Sequence, residues 1–257
     1  MVNDSKKTIV VTGGATGIGL EAVKTLVADG QYNIVVIPKN RAQMEAAAKE
    51  LQEFRKNLSF FTCDISDPEQ VRMTVGKIAA TQKCLYGLVN NAGIYPFGGL
   101  LNTTVAQWDK TMDVNLRGAF LMTQGMIPLM QENELGAGRI INISSTAGIM
   151  PNHHALSYSV SKAALIAFTK TIAKEIGPFG FTANCICPGI VRSPMHENYH
   201  QTDTALEDFY YRRGSSFPMG RVGEPKDVAS AIKFFMSEDA SWVTGETFIL
   251  DGGRLLQ

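Results

Sequence analysis

The chain has 257 residues and carries no excess charge, because 24 Lys and Arg residues balance 24 Asp and Glu residues. This balance, with a pI near 6.9, argues against nucleic acid or an anionic membrane surface as the main partner. Hydrophobic residues make up 45% of the chain, as in ordinary globular proteins. No apolar run reaches the ~18 residues that a membrane span needs.

Apolar runs rich in Val and Ile alternate with helical patterns along the whole chain. The predicted strands cover residues 8–12, 33–37, 58–63, 86–90, 138–143, 181–186 and 247–250. The predicted helices cover residues 18–28, 43–53, 105–132, 157–176 and 226–235, with one more beginning at Asp67-Pro68. This alternation favours an α/β fold, a doubly wound parallel sheet of Rossmann-like form, in one domain over residues 1–257.

Two stretches depart from this regular pattern. Pro128 falls inside the predicted helix 105–132, where it is expected to kink or tighten the helix. Residues 195–217 lack a clear core pattern, and so long a segment in a compact domain is often a lid or a binding loop. We therefore predict a substrate lid there.

A glycine-rich turn follows the first predicted strand and opens the first helix. Its sequence is Thr12-Gly-Gly-Ala-Thr-Gly17-Ile-Gly19. Glycines permit a tight turn, let backbone N–H groups approach a ligand, and let the helix pack on the sheet. A helix N-terminus then offers oriented donors to a pyrophosphate, so the turn predicts a dinucleotide site, although many such turns use glycine only for steric reasons.

The residues after the second strand bear on which dinucleotide binds. NAD-binding folds commonly place Asp or Glu here, about 20 residues after the turn, whereas this chain has Pro38. Lys39, Asn40 and Arg41 come next. Two cations without a carboxylate suit a 2′-phosphate, which favours NADP(H) over NAD(H). The alternative is that both charges are solvated in a loop.

Tyr158 and Lys162 are four residues apart in a predicted helix, with Ser144-Ser145 upstream. Side chains at this spacing share one helix face. An ammonium beside a phenol favours the phenolate and lowers the phenol's pKa from about 10, which would let Tyr158 exchange protons with a carbonyl or an alcohol. The alternative is an exposed polar helix turn.

The four cysteines show no metal-ligand or disulfide pattern. Cys185 and Cys187 are expected to share one face of a strand, and no second Cys or His pair has metal-binding spacing. Core thiols are the simpler interpretation, so we predict a reducing cytoplasm. Residues 1–7 are polar and are not expected to form a signal peptide.

Several motifs occur in one order along the chain: the glycine turn, Asn90-Asn-Ala-Gly93, Asn115, Ser145, Tyr158-Ser-Val-Ser-Lys162 and Pro188-Gly189. This set resembles the short-chain dehydrogenase/reductase family in its single-domain form. The likeness covers nearly the whole chain, as far as residues 243–253. The subgroup that it resembles best contains 3-oxoacyl-thioester reductases and related ketone, sugar and polyol dehydrogenases.

The resemblance implies catalytic roles for four residues. Ser145, thirteen residues before Tyr158, is expected to bond the substrate oxygen. Tyr158 is expected to exchange the proton, and Lys162 to hold the ribose hydroxyls and lower the pKa of the tyrosine. Asn115 is expected to anchor a water that links Lys162 to solvent.

The resemblance also extends the predicted nucleotide site. Asp64 is expected to bond the adenine, although it could equally cap a helix near Ser66. Thr16 stands where NADP-dependent members often carry a basic residue, and Ser193 where threonine is commoner. The predicted cofactor-binding residues are Gly13, Thr16, Gly17, Ile18, Gly19, Lys39, Asn40, Arg41, Asp64, Ile65, Asn91, Ala92, Gly93, Tyr158, Lys162, Pro188, Gly189, Val191 and Ser193.

Substrate choice is expected to depend on aromatic and charged residues outside these motifs. Aromatic residues suit an apolar or flat substrate, and arginines suit a carboxylate, a phosphate or a carrier protein. Alternatively, the segment 195–217 is a lid helix with packed aromatics and solvated arginines, and the histidines lie at the rim without a metal. The residues concerned are Tyr95, Phe97, His153, His154, Tyr199, Phe209, Tyr210, Tyr211, Arg212, Arg213 and Phe217.

The predicted function is hydride transfer between a nicotinamide cofactor, NADPH preferred, and a ketone or secondary alcohol. The alternatives are a non-catalytic NAD(P)-sensing regulatory protein and a different enzyme on the same fold, such as an epimerase or dehydratase. The resemblance implies a homo-dimer or homo-tetramer. Its interface is expected on the helices over residues 105–132 and 157–176, with the apolar tail Leu255-Leu256.

Overall fold

The computed structural model describes residues 6–133, 135–197 and 202–256. Within these residues seven strands form one sheet: β1 (Lys7–Thr12), β2 (Tyr32–Ile37), β3 (Leu58–Phe60), β4 (Leu85–Asn90), β5 (Gly138–Ile143), β6 (Phe181–Pro188) and β7 (Thr247–Leu250). All pairings are parallel, and the order is β3-β2-β1-β4-β5-β6-β7. The order reverses between β1 and β4, where sheets of this kind bind ligands at the carboxyl ends of their strands.

Helices cover both faces of this sheet, so its strands are apolar on both sides. The α-helices of the described residues are α1 (Gly17–Ala28), α2 (Arg41–Glu50), α3 (Pro68–Thr81), α4 (Val105–Met112), α5 (Gly118–Gln131), α6 (Leu156–Ile176), α7 (Pro194–Glu197), α8 (Asp203–Ser215) and α9 (Pro225–Met236). Helices α1 and α9 pack on one face. Helices α3, α5 and α6 pack on the other face. The predicted doubly wound parallel sheet is confirmed.

One predicted helix and one predicted strand have bounds in the structure that differ from the predicted bounds. The helix predicted at 43–53 begins at Arg41, because the Asn40 side chain accepts a hydrogen bond from the Gln43 amide (3.0 Å) and caps α2. It ends at Glu50, and a 3₁₀ segment, Gln52–Asn57, comes after it. The strand predicted at 58–63 is regular only over β3. Beyond β3, the amide of Phe61 donates to the Val36 carbonyl in β2, and the amide of Cys63 donates to the Pro38 carbonyl just after β2, so the chain continues alongside β2.

The predicted continuous helix 105–132 is interrupted, but not at Pro128. Pro128 lies inside α5, whereas α4 and α5 are separated by a π-helical turn, Asp113–Arg117. A π turn holds an extra residue and is frequent at functional sites. Here it contains Asn115, which is 1% exposed and bonds to neighbouring backbone. The sequence did not predict this π turn, and a kink or tightening at Pro128 stays a prediction.

The cysteines lie mainly in the core. Cys63, Cys185 and Cys187 are buried, and none of the four cysteines forms a disulfide. The Sγ atoms of Cys185 and Cys187 are 4.0 Å apart, so the two residues share one face of β6 as predicted. Over the part of the chain that the structure describes, no helix is long and apolar enough to cross a membrane.

Candidate active site

A large cleft opens at the carboxyl ends of β1, β4, β5 and β6. Its volume is about 1570 Å³, above the range of ~300–1000 Å³ that is usual for a single small-molecule site. The glycine turn after β1 and the Asn91 to Gly93 loop after β4 line it together with Tyr158. The cleft therefore lies at the point where the strand order reverses.

The two serines after β5 have different surroundings. Ser144 is buried, and its hydroxyl donates to the Lys162 carbonyl (2.8 Å). Ser145 lines the cleft, and its Oγ accepts from the Ala147 amide (3.1 Å) at the start of a 3₁₀ turn. A hydrogen bond between Ser145 and the Tyr158 hydroxyl acts to lower the tyrosine's pKa. Ser145, rather than Ser144, is thus beside the phenol, and its predicted bond to the substrate oxygen stays a prediction.

Tyr158 and Lys162 lie one turn apart on α6, with their side chains directed into the same cleft. They are only 8% and 4% exposed. Lys162 Nζ donates to the Ile143 carbonyl at the end of β5 (2.8 Å) and lies 5.6 Å from the centroid of the Tyr158 ring. The predicted convergence of the two side chains is present in the structure.

The predicted pKa effect of Lys162 on Tyr158 is wrong for the chain by itself. Burial is the largest influence and raises the pKa of Tyr158 to about 12, against the opposing hydrogen bond from Ser145. Burial likewise lowers the pKa of Lys162 to about 8. The Lys162 ammonium donates to the Ile143 carbonyl and not to the phenol. Both side chains are therefore shifted toward their neutral forms.

Asn115 is positioned behind the cleft rather than on its surface. Its Nδ2 donates to the Ile94 carbonyl (3.0 Å) and to Ser161 Oγ (3.0 Å), and its Oδ1 accepts from the Ile94 amide (2.8 Å). A Cβ on Gly93 would lie 3.3 Å from Asn115 Oδ1 and 3.5 Å from Lys162 Nζ. Glycine at position 93 thus leaves open space between Asn115 and Lys162, and the water-anchoring role stays a prediction.

The glycine turn is tied to the end of β4. Thr12 Oγ1 accepts from the amides of Asn91 and Ala92 (both 3.1 Å), and Asn91 Nδ2 donates to the Thr12 carbonyl (3.1 Å). Gly13 has φ +62°, a conformation that side chains disfavour. Gly19 does not line the cleft. A Cβ there would collide with the backbone of Gly13, so its role in this structure is steric.

The residues after β2 are only partly directed at the cleft. Lys39 lines it, and its Nζ pairs with Asp64 Oδ2 at 3.1 Å. Asn40 is used as the cap of α2, and Arg41 Nε pairs with Glu45 Oε1 at 2.7 Å. Neither Asn40 nor Arg41 lines the cleft. Of this predicted group, only Lys39 lines the cleft, and contacts of Asn40 and Arg41 with a nucleotide stay predictions.

Asp64 lines the cleft and is not the cap of α3. Its Oδ1 accepts from the amide (3.1 Å) and the hydroxyl (2.6 Å) of Ser66, whereas Asp67 caps α3. Partial burial acts to raise the pKa of the Asp64 carboxyl, but hydrogen bonds from Ser66 and Lys39 outweigh it and lower the pKa. A carboxylate is therefore maintained beside the Lys39 ammonium.

The other predicted cofactor residues all line the same cleft. Their contacts with a nucleotide stay predictions. They are Thr16, Gly17, Ile18, Ile65, Ala92, Pro188, Gly189, Val191 and Ser193.

Aromatic rings form one wall of the cleft beside Tyr158. Tyr95 packs edge-on against Tyr158, with ring centroids 4.6 Å apart, and Phe97 packs on Tyr95 at 5.2 Å. His153 and His154 are exposed, line the cleft and have ring centroids 3.8 Å apart. Their position agrees with the predicted rim.

The described side chains of the segment predicted as a lid fall into three groups: some line the cleft, some are buried and some are exposed. Phe209 and Arg213, on α8, line the cleft. Tyr210 and Phe217 are buried and pack on Val222. Tyr211 is 76% exposed, and the side chain of Arg212 is 79% exposed. Tyr199 lies outside the described residues, and movement of the segment stays a prediction.

Several residues that line the cleft were not found from the sequence, because no local motif marks them. Arg254 is the clearest case, since its Nη1 donates to Thr146 Oγ1 (3.2 Å) behind Ser145. His196 and Asn152 line the cleft near Tyr95. Among the described residues, no group of three His, Cys, Asp or Glu side chains is placed to hold a metal ion.

The chain is similar in sequence and in structure to several known proteins. A family model described as "Enoyl-(Acyl carrier protein) reductase" matches residues 13–254. The chain is 32% identical over 252 residues to 3-oxoacyl-[acyl-carrier-protein] reductase FabG of Thermotoga maritima, covering 97% of this chain and 98% of that protein. A solved structure of an actinorhodin polyketide ketoreductase variant with NADPH matches with a TM-score of 0.90 at 29% identity, covering 99% of both chains. The structure of ElxO with NADP bound matches with a TM-score of 0.89 at 29% identity, over 98% of this chain and all of that one.

Proposed function

Because the chain belongs to the short-chain dehydrogenase/reductase family, we propose that it transfers a hydride between a nicotinamide cofactor and a ketone or secondary alcohol. The observation that carries the proposal is the convergence of Ser145, Tyr158 and Lys162 on one cleft, next to a glycine turn at the reversal of strand order. The cofactor, when bound, supplies the hydride. The chain supplies binding, orientation and the proton.

The cleft fits a dinucleotide. The backbone of the turn at Gly13 and Gly17, at the N-terminus of α1, would hold the pyrophosphate. Asp64 and Ile65 would lie at the adenine, and Lys162 would hold the ribose hydroxyls. Gly19 supports this cradle from behind, since a Cβ there would displace Gly13.

The hydroxyls of Ser145 and Tyr158 would both bond the substrate oxygen. Negative charge develops on a carbonyl oxygen during reduction, and two fixed donors stabilise that charge. Tyr158 would then give its proton to the oxygen, or accept one in the reverse direction. Burial raises the pKa of Tyr158 to about 12, so the phenol is protonated at neutral pH, which suits the direction of carbonyl reduction.

We also propose that NADP(H) is the preferred cofactor. Lys39 lines the cleft at the end of β2, where Pro38 replaces the carboxylate common in NAD-binding folds. Both solved structures named above contain NADP or NADPH. The proposal rests on Lys39 and not on Arg41, which is paired with Glu45.

A substrate panel tests the function. Oxidation of NADPH and NADH would be followed by absorbance with 3-oxoacyl thioesters, simple ketones and keto sugars, with 2-enoyl thioesters as a separate arm. We expect turnover of carbonyl substrates, faster with NADPH. Turnover of enoyl thioesters alone would assign carbon–carbon double-bond reduction instead. Tight cofactor binding with no turnover of any member would favour the regulatory alternative.

We further propose that the chain forms a homo-dimer or homo-tetramer through α5 and α6. Phe120 on α5 is 42% exposed and Val160 on α6 is 37% exposed, on the helices where the sequence predicted an interface. Light scattering on the purified protein measures the mass directly. A monomer at all concentrations would contradict this proposal without affecting the reaction.

A further inference from the structure

The cleft is lined by more cationic than anionic side chains. Of the described residues on its surface, the only carboxylate is Asp64, and it is paired with Lys39. The cations on its surface are Lys39, Lys110, Lys162, Arg213 and Arg254. A cleft lined by one sign of charge concentrates ligands of the opposite sign.

Two of these cations, Arg213 and Arg254, line the part of the cleft near Ser145 and Phe209. Arg213 is on α8, and Arg254 is in the turn after β7. The Phe209 ring, over which Arg213 lies, packs against His196, and His196 packs edge-on against Tyr95. Tyr95 in turn packs edge-on against Tyr158. Arg254 donates to Thr146, the residue after Ser145, so both arginines line the cleft on the side of the proposed proton donor.

Neither guanidinium has a carboxylate partner among the described residues, unlike the neighbouring arginines. Arg254 donates to Thr146 Oγ1 (3.2 Å), and Arg213 lies over the Phe209 ring, 5.7 Å from its centroid. Asp251, near Arg254 in the chain, accepts instead from backbone amides through both of its carboxylate oxygens. By contrast, three other arginines of this region are in ion pairs: Arg192 with Glu207, Arg212 with Asp208, and Arg221 with Asp227.

We propose that Arg213 and Arg254 bind an anionic group of the substrate. The substrate would then be a ketone or secondary alcohol that carries a carboxylate, sulfonate or phosphate a few bonds from the reacting carbon. A planar guanidinium matches such groups through two parallel hydrogen bonds. This inference rests on the proposed function and specifies its substrate class.

Matched substrate pairs test the inference. Each pair would be a keto acid and its methyl ester, with the same carbon chain, assayed with NADPH. We expect a KM for the acid that is about 10- to 100-fold below that of the ester, as charge-assisted hydrogen bonds provide. Keto sulfonates and keto phosphates of the same length would identify which anion fits best.

Arg213 and its neighbour Arg212 form a matched pair of variants. Arg213→Gln should raise the KM for the acid about tenfold more than it raises the KM for the ester. Arg212→Gln should change neither value, because Arg212 is exposed, paired with Asp208 and absent from the cleft surface. Equal effects of the two substitutions, or loss of acid and ester activity together, would contradict the inference.

Arg254 requires a control for folding, since it also contacts Thr146 beside Ser145. Arg254→Lys keeps the positive charge, whereas Arg254→Gln removes it. The preference for the acid over the ester should therefore be largest in the wild type, smaller in Arg254→Lys and smallest in Arg254→Gln. Thermal unfolding of each protein checks that it is folded. Ester turnover without any preference for an anion would overturn this inference and leave the proposed function standing. No turnover of either substrate, or of the wider ketone panel, would overturn both.

Discussion

The two ends of the cleft hold their polar side chains in different ways. At the reaction end, Tyr158 and Lys162 are almost fully buried on one long helix. At the nucleotide end, the side chains of Lys39 and Asp64 are 54% and 29% exposed, and they pair with each other across two loops. Geometry at the reaction end is set by the core, whereas the proposed basis of cofactor choice is an exposed side chain, Lys39.

A buried chain of hydrogen bonds supports the reaction end. Asn142 Nδ2 donates to Thr169 Oγ1 (2.8 Å), and Asn90 Nδ2 donates to Asn142 Oδ1 (2.8 Å) and Thr123 Oγ1 (3.0 Å). These side chains join β4 and β5 to α5 and α6, directly beneath the cleft. Buried polar networks of this kind are costly to interrupt. At the nucleotide end, hydrogen bonds of Thr12 and Asn91 tie the glycine turn to β4, but the Lys39–Asp64 pair is not part of them.

The largest effect should come from removing the proposed proton donor. Tyr158→Phe should lower kcat by about 10³-fold, within the range of general acid catalysis, while NADPH still binds. Steady-state kinetics and quenching of protein fluorescence by NADPH measure the two quantities. Tyr95→Phe, which loses the hydrogen bond from Asn152, is the comparison and should lower kcat by less than about tenfold. Retention of most activity in Tyr158→Phe would exclude the proposed role.

The pH dependence of stability tests the burial of Lys162. Its pKa falls from 10.5 to about 8 on folding, so between these values the unfolded chain binds more protons than the folded chain. The free energy of unfolding should therefore rise with pH across this window, by roughly 3 kcal/mol in total. Urea unfolding of wild type and Lys162→Met at pH 8 to 10 measures the difference. If the free energy of unfolding changed with pH in the same way in both proteins, Lys162 would be solvated in the folded chain.

Two threonines on α6 allow a matched test of the buried network. Thr169→Ala should lower the free energy of unfolding by about 2 kcal/mol, because Asn142 loses a buried acceptor. Thr171 makes the same type of bond to the preceding turn but is exposed, so Thr171→Ala should change stability by less than about 0.5 kcal/mol. Urea denaturation of both variants measures their free energies of unfolding. Similar losses of free energy in the two variants would show that the buried network does not contribute to stability.

The smallest effects are expected at the nucleotide end. Lys39→Ala should lower the preference for NADPH over NADH by about tenfold, or about 1.4 kcal/mol, through loss of one charge-assisted contact. Arg41→Ala should change it by less than about twofold, because Arg41 is outside the cleft and paired with Glu45. Comparing kcat/KM for the two cofactors gives the ratio. A larger effect at Arg41 would reverse the assignment of the phosphate-binding residue.

The sequence predicted best the features that arise from a local repeat. Tyr158 and Lys162 share a face because the helical period puts them there, and the parallel sheet results from the alternation of strands and helices. Both predictions needed only residues close together in the chain. Ser145 is beside Tyr158 in the structure because β5 ends at Ile143 and the chain turns back over α6.

The sequence did not predict features that depend on distant contacts. The π turn around Asn115 depends on hydrogen bonds to Ile94, and the position of Arg254 depends on a turn held by Asp251. The effect of Lys162 on Tyr158 was predicted from spacing alone, whereas the pKa depends on burial by the whole domain. The pairing of Arg41 with Glu45 on α2 was also not predicted from the sequence.

The neighbouring thiols of Cys185 and Cys187 offer a direct measure of motion in the central sheet. Both are fully buried on β6, so a thiol reagent can reach them only when the strand transiently separates from its covering helices. Their labelling rate in native buffer therefore reports how often this part of the domain opens. Slower labelling in the presence of a bound nucleotide would show that occupancy of the cleft closes the sheet beneath it.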